Sequence, residues 1–301
     1  MQDYTWRTVQ DSDLLALAAL DAACHAADGP ASVAEPTYAA LRAAPATSLI
    51  CATAGDDAPV AVGWVQEQGA QARSGGRVHP DHRRRGLGSH VLRWAEAQAT
   101  GWDGPRRLII RNEAFTAGSA ALYTQAGYGC DFVEHWLQRD VRLTPPEVAA
   151  PVPTVPWSSA TAPQFFAAYC AAFQTRPGFV APPAEEWISD YADDPEFRPD
   201  LSRLALAAGA PVGFVTAGVL PLPAGGQSVG WVSQIGVAPA WRGRGVAVQL
   251  LAAVMAAFAH EGFAALGLHV NANNPNAIAL YVRLGFQPVG RRAKYAKALA
   301  R

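Results

Sequence analysis

The clearest pattern of apolar and polar positions lies between residues 229 and 258. From residue 229 to 237, mostly apolar positions alternate with positions that include glycine and glutamine, as in a strand with one buried face. Pro239 ends this strand because proline has no N–H group for a ladder. Apolar residues then recur at helical spacing from Val246 onward. The pattern predicts a strand, a tight loop and a helix in succession.

The predicted loop combines two arginines with two glycines, Arg242-Gly243-Arg244-Gly245. Glycine lets the backbone turn sharply and approach a ligand closely. The first N–H groups of the following helix have no partner within it and attract an anion, and arginine side chains add charged donors. The sequence therefore predicts a pyrophosphate-binding loop, with an ordinary solvated turn as the alternative.

A second copy of this pattern lies in the first half of the chain. Both copies follow the spacing Arg-x-x-Gly-x-Gly/Ala, at residues 83–88 and 242–247. In the first copy, Tyr123 lies 40 residues after Arg83. In the second copy, Tyr281 lies 39 residues after Arg242. One unit therefore occurs twice, about half the chain apart.

These motifs resemble those of the GNAT superfamily of acetyltransferases. The two loops resemble that family's acetyl-CoA pyrophosphate loop, and the segment 270–286 resembles its later motif. Tandem pairs of this size occur in mycothiol synthase-like enzymes, among others. The resemblance implies a GNAT-like domain at residues 1–144, a proline-rich linker at 145–156 and a second GNAT domain at 157–301.

Strands and helices alternate in both halves, which predicts an α/β fold with a mixed sheet in each. In the first half, residues 66–76 are polar and contain glycine where the second half has its long apolar strand. Thr116 and Ser119 stand where the second copy has Asn274 and Ala277. We therefore expect a short or frayed strand before the first loop and a degenerate N-terminal domain.

By the same resemblance, acetyl-CoA is the expected co-substrate, with no metal. Whether both loops are occupied is left open by the sequence, and Asn274 is interpreted either as a helix cap only or also as a contact to the pantetheine arm. The expected binding residues of the C-terminal domain are Ile235, Gly236, Val237, Arg242, Gly243, Arg244, Gly245, Val246, Ala247, Asn274 and Asn276. Those of the N-terminal domain are Val78, Arg83, Arg84, Arg85, Gly86, Leu87 and Gly88.

The resemblance assigns to Tyr281 the protonation of the leaving thiolate, and the alternative is a buried aromatic residue on the core face of its helix. Tyr123 is its first-copy counterpart. Many family members carry a glutamate base on the strand before the loop, but residues 227–237 contain no carboxylate. His269, on the next strand, is the candidate base, with a water chain as the alternative.

The predicted activity is direct transfer of acetyl from acetyl-CoA to a primary amine of a small molecule, catalysed by the C-terminal domain. A mycothiol synthase-like role, acetylating a cysteinyl pseudo-disaccharide, is a narrower version. The alternative is a non-catalytic protein that binds or senses acetyl-CoA. An acidic segment between residues 185 and 200 would attract a cationic amine, or is a solvated surface.

Composition limits the remaining possibilities. A chain of 301 residues with 50% apolar residues suits two packed domains, and a net charge of −1 argues against a general binder of nucleic acid or anionic membranes. We find no apolar run of the ~20 residues that a membrane helix needs and no signal-peptide pattern. The four cysteines are scattered, which fits a cytoplasmic protein. We expect a monomer or a homodimer.

Overall fold

The computed structural model describes residues 4–31, 36–55, 58–104, 106–144, 146–147, 152–176, 178–221 and 228–299. Contacts between Cα atoms divide the chain into two compact units. Unit 1 comprises Met1–His135, Asn271–Asn273 and Val289–Arg301, and unit 2 comprises Trp136–Val270 and Asn274–Pro288.

The first half of the chain forms four helices and six strands among its described residues. The helices are α1 (Leu14–Asp28), α2 (Tyr38–Ala43), α3 (Leu87–Thr100) and α4 (Ala117–Gln125). The strands are β1 (Thr5–Thr8), β2 (Thr47–Thr53), β3 (Pro59–Gln68), β4 (Gln71–Val78), β5 (Arg107–Asn112) and β6 (Gly129–Asp140).

The second half repeats this order of elements. Its helices are α5 (Ala162–Phe173), α6 (Ala184–Ala192), α7 (Val246–His260) and α8 (Pro275–Arg283). Its strands are β7 (Thr154–Pro156), β8 (Arg203–Ala207), β9 (Ala210–Leu220), β10 (Val229–Val237), β11 (Ala265–Asn271) and β12 (Gln287–Ala298).

Each unit is built on a mixed sheet, as predicted. In unit 1 the strand order is β1-β2-β3-β4-β5-β12, and only β4 and β5 in this series run parallel. In unit 2 the order β11-β10-β9-β8-β7 has one parallel pair, β10 with β11. The predicted α/β fold with a mixed sheet in each half is confirmed.

The strand, loop and helix that the apolar pattern predicts around residue 242 are present as β10 and α7. The buried side chains of α7 are those at helical spacing: Val246, Leu250, Leu251, Val254, Met255 and Phe258. They pack on the sheet because burial of one apolar face is what stabilises a helix of this length. Gly245 precedes the helix with φ +82°, a conformation that favours glycine.

The expectation of a short or frayed strand before the first loop is wrong. Every residue of β4 pairs with β3 in an unbroken antiparallel register, from Gln71 opposite Gln68 to Val78 opposite Ala61. A two-residue turn that begins at Gly69, with φ +58°, joins the two strands. Backbone pairing on this hairpin and the Ser74 hydroxyl, which donates to the Trp64 carbonyl at 2.8 Å, offset the low apolar content.

The last strand of the chain belongs to unit 1. β12 pairs antiparallel with β5, from Ala293 opposite Asn112 to Ala298 opposite Arg107, and Tyr295 is buried in the same core cluster as Leu108. The compact units therefore do not coincide with the sequence ranges 1–144 and 157–301. Those ranges describe the repeated sequence and stay a prediction.

Part of the predicted linker lies outside the described residues, namely 145 and 148–151. Its end forms the edge strand β7, which pairs with β8. Among the described residues, we find no helix with the length and apolar character needed to cross a membrane.

Candidate functional site

A cavity of about 400 Å³ lies in unit 1 beside the first arginine–glycine loop. Its walls come from the end of α1, from β4, from the start of α3, and from β5 and α4. All the predicted N-terminal cofactor residues line it except Arg85. The first arginine–glycine loop therefore lies at a concave surface, and binding of a cofactor by its residues stays a prediction.

The cavity opens where two parallel strands separate. Pairing between β4 and β5 ends at Ser74 and Ile110, although β4 continues to Val78 and β5 to Asn112. Gly75 and Gly76 line the gap, where the absence of side chains exposes the backbone. In unit 2, pairing between β10 and β11 likewise ends at Val232 and Leu268. Both repeats thus separate their parallel strands just before the loop.

The start of α3 provides donors for an anion. Gly86 is the N-cap, with φ +85°, and no side chain caps the helix. The first intrahelical bond is donated by the His90 N–H to the Gly86 carbonyl at 3.0 Å. Leu87 and Gly88 line the cavity, and N–H groups in a first helical turn have no intrahelical acceptor. This end of the cavity therefore suits a phosphate or pyrophosphate.

The first arginine of each loop is directed at the protein. Arg83 donates through Nε to the Val78 carbonyl at 3.1 Å and through both terminal nitrogens to Asp28, at 2.7 and 2.8 Å. Arg242 donates through Nε to the Val237 carbonyl at 3.2 Å. These side chains brace the loop to the strand before it. Their direct contact with the cofactor stays a prediction.

The next loop positions differ between the copies. Arg84 has φ +63°, a left-handed conformation that is unfavourable for a residue with a side chain, whereas Gly243 takes φ +74° without that penalty. Arg84 lines the cavity. Arg85 donates to the Tyr4 hydroxyl at 3.3 Å, and the guanidinium of Arg244 lies 4.9 Å from the centre of the Trp241 ring.

Tyr123 lies in the wall of the cavity. Its hydroxyl accepts a hydrogen bond from Nδ2 of Asn112 at 3.1 Å, and its ring centre lies 5.0 Å from that of Tyr295 on β12. Sequence reasoning identified Tyr123 by its spacing but missed Asn112, Asp28 and Tyr295. Those three residues hold the site through contacts that no local pattern indicates.

Tyr281 is buried in unit 2 and packs against Phe286, with ring centres 5.7 Å apart. Only 6% of the residue is exposed, and this burial raises the pKa of its hydroxyl to about 12. The hydroxyl is therefore protonated at neutral pH. His269 lies near the end of β11 with its ring edge against Trp231, at 4.8 Å between centres.

The strand before the second loop carries a β-bulge that the first copy lacks. The register between β9 and β10 shifts between Val232 and Gln234, and Ile235, Gly236 and Val237 follow the shift. A bulge of this kind bends the strand and changes the direction of the backbone groups that follow it. Oε1 of Gln234 is buried with no hydrogen-bond partner in the described part of the chain.

The later motif of the second copy forms the start of α8. Asn274 caps this helix, its side chain accepting from the Ala277 N–H at 3.2 Å, while Asn276 is exposed in the first turn. Thr116 caps α4 in the same way, accepting from the Ser119 N–H at 3.2 Å. Over the described ranges, we find no grouping of three His, Cys, Asp or Glu side chains suited to a metal ion.

Comparison with known proteins agrees with this geometry. The model of the acetyltransferase (GNAT) family matches residues 19–128 and 163–286. A mycothiol acetyltransferase from a Nocardioides species is 32% identical, with 91% of this chain and 94% of the relative covered. One from an Arthrobacter species is 30% identical, with 92% and 90% covered.

Solved structures show the same arrangement. A GCN5-related N-acetyltransferase from Sphaerobacter thermophilus superposes with a TM-score of 0.72 at 25% identity, covering 99% of this chain and 96% of the other. A tandem GNAT protein from the clavulanic acid biosynthesis pathway shares the fold, with a TM-score of 0.60, 18% identity and 99% of both chains covered. The chain therefore belongs to the GNAT family of acetyltransferases, with two GNAT domains in tandem, and is an acetyl-CoA-dependent N-acetyltransferase.

Proposed function

We propose that the protein acetylates the primary amine of a small molecule by direct attack on acetyl-CoA, and that the C-terminal repeat catalyses the transfer. The observation that carries this proposal is the corner shared by both repeats: a braced arginine, a left-handed glycine and an uncapped helix start. Such a corner holds a diphosphate through backbone N–H groups.

Acetyl-CoA would supply the acetyl thioester, and the two repeats would hold it through equivalent groups. The first turns of α3 and α7 would donate N–H groups to the pyrophosphate. In unit 1, Arg84 adds charge at the cavity wall. A chain such as pantetheine would lie in the gap between β4 and β5, against the backbone that Gly75 and Gly76 leave without side chains.

Several features of unit 2 favour it as the catalytic repeat. The bulge in β10 turns the backbone that follows it, and an N–H group there would stabilise negative charge on the thioester oxygen. Burial raises the pKa of Tyr281 to about 12, so its hydroxyl keeps a proton to give to the leaving sulfur. The unpartnered Oε1 of Gln234 would accept an N–H of the incoming amine.

The amine must lose a proton without help from a carboxylate on β10. His269 or water would take it, in keeping with an acceptor amine of modest pKa. The relatives named mycothiol acetyltransferase support the narrower version of the proposal, in which the acceptor is a cysteinyl pseudo-disaccharide.

A second candidate places the transfer in the N-terminal repeat. The cavity beside Tyr123 and the hydrogen bond from Asn112 to its hydroxyl favour this version. There, Tyr123 would protonate the leaving sulfur in place of Tyr281.

A matched pair of variants tests the two versions. Acetyl transfer from acetyl-CoA to a panel of amines, including the cysteinyl pseudo-disaccharide, is measured at pH 7 for the wild type, Tyr281→Phe and Tyr123→Phe. A positioned general acid typically contributes about 10²–10⁴-fold to the rate. We therefore expect Tyr281→Phe to lower kcat by at least about tenfold, with an unchanged KM for acetyl-CoA. The reverse pattern would move catalysis to the N-terminal repeat. Absence of turnover with every amine would refute the proposed function.

A further inference from the structure

Unit 1 contains a second, smaller cavity of about 90 Å³ that meets the first one. The two cavities share the place where β4 and β5 separate, so the second lies next to the end of the first. Their common lining consists of Ser74, Gly75, Gly76, Arg77, Ile110, Asn112 and Tyr123. A molecule in the second cavity would therefore face Tyr123. It would also lie beside any molecule that is bound in the first cavity.

Three arginines, Arg73, Arg77 and Arg111, line the second cavity. Arg73 stands opposite Ile109 in the parallel register, and Arg111 lies two residues beyond Ile109, so both arginines project from the same face of the sheet. Arg77 approaches Asp21 at 3.5 Å. The cavity thus concentrates positive charge on one face, in a protein whose net charge is only −1.

The charges of Arg73 and Arg111 are only partly compensated within the described residues. Neither guanidinium has an ion-pair or hydrogen-bond partner among them. Burial lowers the pKa of Arg73 and the neighbouring charge of Arg111 lowers it further, while the carboxylate of Glu113 raises it. Arg73 and Arg111 together keep an excess of positive charge beside Glu113, and a bound carboxylate would neutralise it.

One carboxylate also lines the second cavity. Glu113, with 11% of its side chain exposed, lies 3.9 Å from a terminal nitrogen of Arg292, which makes a closer pair with Glu134 at 2.7 Å. Glu113 follows Asn112, the residue that orients Tyr123. A negative group therefore also lines this mostly positive pocket, and a carboxylate can receive an ammonium group.

We propose that this pocket binds a small amino acid-like zwitterion. Its carboxylate lies between Arg73 and Arg111, and its amine faces Glu113 and the first cavity. The inference rests on the proposed function only in taking the first cavity as the site of acetyl-CoA. It gives the N-terminal repeat a ligand preference of its own, for amines that carry an anionic group, separate from the acceptor that the C-terminal repeat acetylates.

Binding of matched amines to the full chain, saturated with CoA, tests this proposal without requiring turnover. The probes are glycine, β-alanine and 4-aminobutyrate, each paired with ethylamine, propylamine or butylamine of the same length, and affinities are measured by calorimetry and saturation-transfer NMR. We expect at least one zwitterion to bind about tenfold tighter than its partner amine, because only the zwitterion meets both arginines.

Two variants and a control locate the site. Arg73→Met and Arg111→Met should each weaken binding of the zwitterion about fivefold or more and leave the plain amine unchanged. Arg93→Met, at an exposed position on α3 that lines neither cavity, is the control and should bind like the wild type. Thermal melts verify that all three variants fold. If Arg73→Met does not fold, Arg111→Met provides the test, because Arg111 is exposed.

Equal binding of zwitterions and plain amines would overturn the inference, as would binding that is unaffected in folded Arg73→Met or Arg111→Met protein. Selective binding lost in these variants, together with no acetyl transfer to any amine, would refute the proposed function and leave the pocket assignment intact.

Discussion

Replacing Asp28 by asparagine should loosen the loop that precedes α3. The carboxylate of Asp28 receives two hydrogen bonds from Arg83, at 2.7 and 2.8 Å, and thereby ties the loop to the end of α1. An asparagine side chain keeps one acceptor oxygen and loses the charge. One bond of the pair is lost and the other becomes weaker.

The size of the effect follows from the geometry and the exposure. Hydrogen bonds to charged groups contribute about 1.5–3 kcal/mol when they are buried. The side chains of Arg83 and Asp28 are 34% and 19% exposed, so water replaces part of the loss, and we expect a decrease of about 1–2 kcal/mol in the free energy of unfolding. For a unit of about 150 residues this lowers the melting temperature by roughly 3–6 °C.

Hydrogen exchange over residues 79–100, thermal melting and CoA calorimetry measure this change. Exchange should accelerate at the loop, and CoA affinity should fall about fivefold because the N–H donors are less well positioned. Asp11→Asn is the control: its carboxylate pairs with Arg42 but is 84% exposed, so the cost should stay below about 0.5 kcal/mol. Wild-type melting and CoA affinity in Asp28→Asn would refute the bracing role.

Gly76→Ala should cost about 2 kcal/mol or more and weaken CoA binding, because a Cβ atom would lie 2.6 Å from the Val62 carbonyl oxygen; calorimetry with unchanged affinity would contradict this. Arg7 holds the pKa of Asp13 below its ordinary value of 3.8, so the stabilisation is complete above about pH 5 and is lost as the pH falls through the folded-state pKa. Asp13→Asn should therefore flatten the acid limb of a stability–pH curve, and an unaltered limb would be the contrary result. Tyr295→Ala should remove about 3–5 kcal/mol from unit 1 and accelerate hydrogen exchange in its core, whereas exchange limited to β12 would show that the ring is not part of that core.

The two loop corners were predictable because their signals are local. An arginine, two glycines and a helical apolar pattern lie within a few residues of each other, and each specifies a backbone conformation by itself. The caps at Asn274 and Thr116 follow from the same short-range chemistry. For this reason the sequence repeat predicted the fold, and the first of its two loops lies beside the cavity.

Three features escaped prediction because they depend on long-range contacts. Asp28 lies 55 residues before Arg83, and nothing near either residue indicates the pair. β4 is a full strand because its neighbours supply backbone partners, a contribution that side-chain alternation does not report. β12 pairs with β5, and an apolar pattern shared by two repeats cannot distinguish which sheet a strand will join.

The position of β12 in unit 1 has a consequence for synthesis on the ribosome. Strand β5 cannot gain its partner on one side until residues 287–298, which are translated about 175 residues after Asn112, have left the exit tunnel. An edge of β5 thus stays unpaired while the intervening residues are made, and an unpaired strand edge is prone to aggregate. A truncation that removes β12 would therefore damage a sheet whose other strands were translated long before it.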